Sequence, residues 1–103
     1  MVHSVVLEKL DANMEEATVG AWRVAEGDSI AAGAALVELI TDKVTFDYES
    51  PVGGTVRRLA AAPGAVVPVG YVLCQIGDPE SDLPEIDEAN RRLADEHRRR
   101  QEV

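Results

Sequence analysis

Lys43 is the residue of this sequence whose type and position most favour a chemical role. It lies where two β-rich runs meet, so we expect it to project from the tip of a hairpin. The second run alternates between apolar and polar residues, which is typical of a half-buried strand, and its apolar face carries Val44, Phe46 and Tyr48. The only other lysine is Lys9. From turn and exposure alone, a lysine in this position is a solvated charge.

The turn that carries this lysine has two possible geometries. Asp42 and Lys43 stand between the two runs. A two-residue hairpin of type I′ needs a positive φ at both positions, which Asp42 tolerates better than Lys43. A type I turn accepts most residues at its central positions and fits equally well. The sequence leaves both turn types open.

The remaining side chains that could do chemistry give weaker signals. Cys74 aligns with an aliphatic residue in the repeat described below, which favours a small buried hydrophobe over a redox role. His3 and His97 are far apart, show no metal-ligand spacing and have no nucleophile nearby, so we predict no metal site and no catalytic residue. Glu15 and Glu16 are interpreted as a solvated acidic loop in preference to a recognition surface for a partner.

Composition limits the classes of function that are open to this chain. Its 103 residues fit one domain, and a formal net charge of −9 argues against nucleic acid and suits a partner with a positive patch. No apolar run is long enough for a membrane helix, and the N-terminus lacks the pattern of a secretion signal, so we expect no membrane partner. A single cysteine allows no internal disulfide, and a cytoplasmic location is the default expectation.

An internal repeat at an offset of 37 residues is the strongest indicator of the fold. Each repeat supplies about four short strands, and neither could bury its apolar face alone, so the two must pack together. The sequence therefore predicts an all-β fold, a flattened barrel or sandwich of two four-stranded sheets with pseudo-two-fold symmetry, plus a C-terminal helix. The repeated identities are Thr18-Val19 with Thr55-Val56, Ala25 with Ala62, Gly27 with Gly64, Gly33 with Gly70 and Leu36 with Leu73.

The repeat also predicts the domain organisation. The barrel occupies residues 1–77, with Lys43 at one end because it lies where the first unit passes into the second. By symmetry, the N-terminus and the point where the chain leaves the barrel should lie at the opposite pole, which would separate the lysine from any tether. Residues 78–84 contain two prolines and are expected to form a linker, and residues 85–101 are expected to form a helix.

The expected helix carries acids in its first turn and arginines in its last, as the helix dipole favours. Its apolar stripe is thin and consists of Ile86, Ala89, Leu93 and Ala94. We therefore expect a mostly solvated helix that is laid against the barrel. The alternative is a docking helix for a partner.

Taken together, these residues resemble the lipoyl domain of 2-oxo acid dehydrogenase complexes, which is a member of the biotinyl/lipoyl attachment family. The resemblance covers about residues 2–77 and depends on a spaced set of motifs, which is more specific than the tripeptide around the lysine. The matching stretches are Leu7-Glu8-Lys9-Leu10, Met14-Glu15-Glu16-Ala17-Thr18-Val19, Trp22, Gly27-Asp28, Gly33, Thr41-Asp42-Lys43-Val44, Ser50-Pro51-Val52-Gly53-Gly54 and Pro68-Val69-Gly70.

The chain departs from the family pattern at a few positions. The departures are Ile40 in place of a frequent glutamate, and Glu8, Asp11 and Ala17 in place of a proline and two glycines. Biotin carriers of the same family usually have methionines on both sides of the lysine. Here the neighbours are Asp42 and Val44, which favours lipoate over biotin.

The resemblance implies that Lys43 carries lipoic acid in amide linkage, as a swinging arm that shuttles acyl groups and reducing equivalents. It implies a carrier, not an enzyme, with four partners: a thiamine-dependent 2-oxo acid dehydrogenase, a dihydrolipoyl acyltransferase, a flavin-dependent dihydrolipoyl dehydrogenase and a lipoate attachment enzyme. The residues that the attachment enzyme would read are Thr41, Asp42, Val44 and Gly54. Thr41 and Asp42 could instead only form the turn, and Gly54 could serve a turn that needs positive φ.

Two other functions stay open for the same sequence. One is a biotin carrier that serves a carboxylase, with biotin in place of lipoate on Lys43. The other is a structural or adaptor barrel that is never modified. Replacing Lys43 by Arg separates the last function from the first two, because only a carrier needs the lysine.

Overall fold

The computed structural model describes residues 1–101, which form eight β-strands followed by one helix. The strands are β1 Val2–Val6, β2 Glu16–Trp22, β3 Ser29–Ile30, β4 Ala35–Ile40, β5 Thr45–Glu49, β6 Gly54–Leu59, β7 Val66–Pro68 and β8 Val72–Gly77, and the helix is α1 Asp87–Gln101. Within this range no helix is long and apolar enough to cross a membrane.

The eight strands form two antiparallel four-stranded sheets, which confirms the predicted fold class. The first sheet has the order β1-β8-β6-β3 and the second has the order β5-β4-β2-β7. A shift of 37 residues takes β4 onto β8 at both ends, and it takes β2 and β3 closely onto β6 and β7. Exchanging β8 for β4, β6 for β2, β3 for β7 and β1 for β5 turns the strand order of the first sheet into that of the second. This exchange is what a pseudo-two-fold axis requires.

The two sheets face each other across an aliphatic core. Burial alternates along β2 and β5, as the pleat of a strand requires, whereas β4 and β8 bury adjacent residues where the register shifts. The fully buried side chains include Leu7, Leu36, Leu39, Leu73, Ile76, Val5, Val19, Val37, Val56 and Cys74. Cys74 is thus the small buried hydrophobe that the repeat predicts. Trp22 is half-buried at the edge of the core, where its indole nitrogen donates to the Ala61 carbonyl oxygen at 2.8 Å.

Helix α1 lies against the barrel, as predicted, but through a different set of residues. It begins at Asp87, two residues after the predicted start, and the Glu85 carboxylate accepts a hydrogen bond from the Asp87 amide at 2.5 Å. Ala89, which the sequence places in the apolar stripe, is exposed and does not face the barrel. The side that faces the barrel carries Ile86, Asn90, Leu93 and His97. These residues keep helical spacing, but two of them are polar.

Asn90 attaches α1 to the barrel by completing the hydrogen bonds of β8. Its side-chain oxygen accepts from the Val72 amide at 2.8 Å, and its side-chain nitrogen donates to the Val72 carbonyl at 3.1 Å. An Asn side chain can pair with a peptide group in this way because it carries both an acceptor and a donor. Asn90 is buried, so water does not compete freely for these two bonds.

We predict that Asn90→Ala lowers the free energy of unfolding by about 1–3 kcal/mol, because the Val72 amide and carbonyl lose a buried partner. Urea denaturation followed by circular dichroism measures the change. Arg91→Ala is the matched control, since Arg91 is exposed one residue further along the helix and its loss should cost less than about 0.5 kcal/mol. Equal costs in both variants would contradict this account of the helix contact.

We also predict that the Cys74 thiol is unreactive in the folded protein. Burial raises the pKa of Cys74 from its ordinary value of 9.0 to about 12, so almost no thiolate forms at neutral pH. An aromatic disulfide reagent should label Cys74 only after denaturation. Because the folded state holds this proton more tightly, the associated stability is complete below pH 9.0 and is lost as the pH rises towards about 12. Rapid labelling of the native protein would disprove this prediction.

Candidate functional site

The turn that carries Lys43 joins β4 to β5 and is held together by Thr41. The last strand pair before the turn is Ile40 with Thr45. The Thr41 amide donates to the Val44 carbonyl at 2.9 Å, and the Thr41 hydroxyl donates to the same carbonyl at 2.9 Å. The hydroxyl oxygen also accepts from the Val44 amide at 3.1 Å. One backbone bond therefore closes the turn, and the Thr41 hydroxyl takes the Val44 amide that the Thr41 carbonyl would accept in a tighter turn.

The backbone of this turn excludes one of the two geometries that the sequence leaves open. Between residues 1 and 101, glycines alone have a positive φ. A type I′ turn would require positive φ at both Asp42 and Lys43 and is therefore excluded. The absence of positive φ at these two residues is compatible with the type I geometry, which accepts polar side chains at both central positions.

Lys43 is exposed at the tip of the hairpin, as predicted, and so are its neighbours Asp42 and Val44. Its ammonium group makes no salt bridge with any residue of the described chain. The strand that follows begins at Thr45, so Val44 lies before it and is 53% exposed. The turn thus fixes the backbone of Lys43 and leaves its side-chain amine exposed and without an ion-pair partner in the described chain.

The hairpin behind the turn is fixed to the rest of the barrel through Tyr48. Phe46 and Tyr48 are half-buried, as the alternation along the second run predicts. The Tyr48 hydroxyl donates to the Val6 carbonyl at 3.0 Å and accepts from the Glu8 amide at 3.1 Å. Burial raises the pKa of Tyr48, so the phenol stays protonated and keeps its donor at neutral pH. The β5 edge is therefore linked to the segment that follows β1.

Gly54 is not brought to the Lys43 turn. It begins β6 in the other sheet, where it has a φ of +146°, and a Cβ at this position would lie 3.3 Å from the Gly77 backbone. The structure therefore supplies the positive φ that the alternative interpretation of Gly54 requires. A role for Gly54 in recognition by an attachment enzyme stays a prediction. Thr41, Asp42 and Val44 do lie together around the lysine.

A groove of about 470 Å³ runs beside the turn. Its walls are residues 11 and 13–18 on one side and residues 40–43 on the other. The charged residues that line it are Asp11, Glu15, Glu16, Asp42 and Lys43, so Lys43 is the one cation among four carboxylates. The surroundings of Lys43 are thus strongly acidic.

Glu16 differs from the predicted solvated loop. Glu15 is exposed, as predicted, but Glu16 begins β2, and one of its carboxylate oxygens lies 2.5 Å from Nε2 of His97 on α1. Sequence reasoning missed this pair because the two residues are 81 positions apart. A signal existed in the spacing of Ile86, Asn90 and His97, which places all three on one helix face.

The chemistry of this site is that of an accessible amine. Across residues 1–101, no group of three or more His, Cys, Asp or Glu side chains is arranged to hold a metal ion. A primary amine at an exposed turn can form an amide with an activated carboxyl group. The Thr41 hydroxyl accepts from the Lys43 amide at 3.4 Å, and the Lys43 side chain is exposed at the edge of the groove.

Comparison with known proteins relates this geometry to one family. The family described as "Biotin-requiring enzyme" matches residues 10–76. The acetyltransferase component (dihydrolipoyllysine-residue) of the acetoin cleaving system of Pseudomonas putida is 35% identical over 86 residues, which is 84% of this chain and 23% of that protein. The corresponding component of the mitochondrial pyruvate dehydrogenase complex of Caenorhabditis elegans is 39% identical over 80 residues, which is 77% of this chain and 16% of that protein. The chain thus spans less than a quarter of either relative.

Two solved structures share the architecture. The lipoyl domain of the 2-oxoglutarate dehydrogenase complex of Azotobacter vinelandii matches with a TM-score of 0.59 and 19% identity, over 71% of this chain and 92% of that one. A single-chain, multi-domain long-chain acyl-CoA carboxylase matches with a TM-score of 0.61 and 26% identity, over 95% of this chain and 9% of that one. The first likeness, at its low identity, supports the fold alone.

The role of the Thr41 hydroxyl in the turn can be tested directly. We predict that Thr41→Val, which keeps the shape of the side chain, lowers the free energy of unfolding by about 0.5–1.5 kcal/mol and speeds hydrogen exchange of the Val44 amide. Thr41→Ser keeps the hydroxyl and should behave like the parent protein. NMR measures the hydrogen exchange rate of the Val44 amide in the parent protein and in both variants. An unchanged rate in Thr41→Val would show that the hydroxyl does not hold the turn.

Proposed function

The chain belongs to the biotinyl/lipoyl attachment family, and on this premise we propose that it is a lipoyl carrier whose swinging arm is attached to Lys43. The observation that carries the proposal is the position of Lys43, which is an exposed, unpaired amine at the tip of a turn held by Thr41. Such an amine suits an amide-linked group, because it is exposed and no salt bridge of the described chain has to break before it reacts.

Two observations favour lipoate over biotin. The relatives named above are acyltransferase components defined by a dihydrolipoyllysine residue. The lysine of this chain has Asp42 and Val44 beside it, where biotin carriers of the family usually have methionines. The structural match to an acyl-CoA carboxylase is the observation that keeps a biotin carrier as the second candidate.

The residues around Lys43 have separate roles in this proposal. Thr41 fixes the backbone from which the arm projects, and Asp42 and Val44 are exposed beside it where an attachment enzyme can contact them. Amide formation joins the lysine amine to the cofactor carboxyl group and removes one positive charge, so that the formal net charge falls from −9 to −10. When bound, lipoate supplies a dithiolane that accepts an acyl group and two electrons.

The proposal implies a set of partners and a place in a larger assembly. The domain would be a substrate for a thiamine-dependent 2-oxo acid dehydrogenase, a dihydrolipoyl acyltransferase and a flavin-dependent dihydrolipoyl dehydrogenase, and not itself a catalyst. Attachment to a complex would raise the effective concentration of the arm at each active site. The cytoplasmic location and the division into a carrier at 1–77, a connecting segment at 78–86 and the helix α1 belong to the same proposal.

The two lysines of the chain allow a well-controlled test. The purified protein, Lys43→Arg and Lys9→Arg are each incubated with a lipoate attachment enzyme, lipoate and ATP with Mg²⁺ to activate the carboxyl group, and separately with a biotin attachment enzyme, biotin and the same activating mixture. Intact mass and peptide mapping then locate any adduct. We predict a lipoyl adduct on Lys43 in the parent and in Lys9→Arg, and none in Lys43→Arg, because Arg offers no nucleophilic amine.

The other outcomes have defined meanings. A biotinyl adduct on Lys43 without a lipoyl adduct would overturn lipoate and establish the second candidate. A known carrier domain is modified in parallel to show that both enzymes are active. If they are active and this protein gains no adduct, the carrier proposal fails and the structural or adaptor barrel is the remaining function. Reductive acylation of the lipoylated protein by a thiamine-dependent dehydrogenase would extend the result from attachment to transport.

A further inference from the structure

Residues 78–101, here called the strap, lead the chain back across the barrel after β8. The strap begins beside the N-terminus, where the Met1 amine lies 2.7 Å from the Asp78 carboxylate. It then follows the outer face of the first sheet, where Arg57 donates to the Ser81 carbonyl at 2.7 Å and Gln75 donates to the Pro84 carbonyl at 3.0 Å. Gln75 points away from the core and is nevertheless fully buried, because the strap covers it.

The second half of the strap passes from the first sheet to the second. Arg58 on β6 pairs with Asp87 at 2.5 Å, and Asn90 pairs with Val72 on β8. Further along, His97 reaches Glu16 on β2 of the second sheet. The chain leaves the barrel beside the N-terminus, but it does not stay away from the lysine. The helix α1 reaches Glu16, which lines the groove of Lys43.

Glu16 is the carboxylate of the groove that the strand register brings to the level of the turn. Thr18 on β2 pairs with Ile40 on β4. The paired part of the ladder ends there, and the direction of the two strands brings Glu16, two residues before Thr18, to the level of Asp42, two residues after Ile40. Glu16, Asp42 and Lys43 all line the same groove. On its other side, Glu16 pairs with Pro68 on β7, the strand against which α1 packs. Glu16 thus lies between two cationic or potentially cationic side chains, Lys43 and His97.

The structure resolves this competition in favour of His97. The Glu16 carboxylate is 2.5 Å from His97 Nε2, whereas the Lys43 ammonium makes no salt bridge in the described chain. The His97 side chain is only 10% exposed and is fixed by the helix, while Glu16 is 37% exposed. A fixed, nearly buried donor holds a partly exposed carboxylate at little further cost in side-chain entropy.

We propose that His97 is a positioning residue for the Lys43 site, which holds the Glu16 carboxylate away from the lysine so that the amine stays unpaired and accessible. Without His97, the Glu16 carboxylate, which already lines the groove, can turn toward Lys43 and pair with it. Such a pair favours the ammonium form, which lowers the nucleophilicity of the amine and restricts its movement. The helix α1 then serves the carrier through Glu16, without contacting the lysine.

A chemical assay tests this proposal independently of the function proposed above. The folded protein is treated briefly with an acetylating reagent, and mass spectrometry gives the ratio of acetylated Lys43 to acetylated Lys9. Lys9 does not line the groove and acts as the internal reference. We expect His97→Ala to lower the ratio about two- to fivefold, the range of a surface ion pair.

Two further variants separate positioning from a general effect of the helix on structure. His97→Gln keeps a side-chain N–H donor and should restore a large part of the ratio. Glu16→Gln in the His97→Ala background removes the competing charge and should restore it fully. An unchanged ratio in His97→Ala would overturn the proposal, and so would a lowered ratio that persists when Glu16 is also replaced.

A second readout relates this result to function, and it rests on the proposed function. The KM of the lipoate attachment enzyme should rise in His97→Ala and return in the double variant, while kcat changes less. If no enzyme modifies Lys43, the function proposed above fails but the acetylation ratio still decides the role of His97. If modification is normal and the ratio does not change, His97 is structural only.

Discussion

The burial of two apolar sheet faces against each other is the constraint on which the rest of the structure depends. Leu36 and Leu39 on β4, and Leu73 and Ile76 on β8, are fully buried in the one core cluster to which both sheets contribute. Each repeat alone would expose its inner face to water and lose this favourable burial. The strands β4 and β8 are interior strands of their sheets, so the segments that follow them leave from corresponding places. One is the Lys43 turn, and the other is the start of the strap.

This constraint explains why the lysine is available. The core is filled by aliphatic residues of the strands, and the turn between β4 and β5 contributes none of its side chains to it. A polar turn outside a packed core has to satisfy its backbone locally, which Thr41 does with its hydroxyl. Lys43 is exposed and its side chain forms no salt bridge in the described chain, so its amine is available for chemistry.

The parts of the structure that follow periodic patterns could be predicted from the sequence. Alternation along β5 and the repeat of Gly27 and Gly33 at Gly64 and Gly70 lead to the two sheets and to a lysine at a hairpin tip. The turn type could not be predicted, because residue preferences at Asp42 allow both geometries. It is the backbone of the folded hairpin that decides between them.

The docking of α1 could be predicted only in part, for a different reason. Amphipathic spacing indicates which residues share a helix face, but it assumes that buried residues are apolar. Asn90 and His97 break that assumption because each finds a partner far away in the sequence, Val72 and Glu16 respectively. A buried polar residue is stable only with such a partner, and one sequence without its fold does not identify the partner.

The Glu16–His97 contact acquires a further consequence if Lys43 is converted to an amide. The groove then loses the one cation among its lining residues, and the carboxylates of Asp11, Glu15, Glu16 and Asp42 remain. Like charges confined to one groove repel each other, most strongly where solvent is partly excluded. A histidine that holds Glu16 on the side of α1 reduces this repulsion, so the same contact that leaves the amine accessible before modification also limits the charge around the arm afterwards.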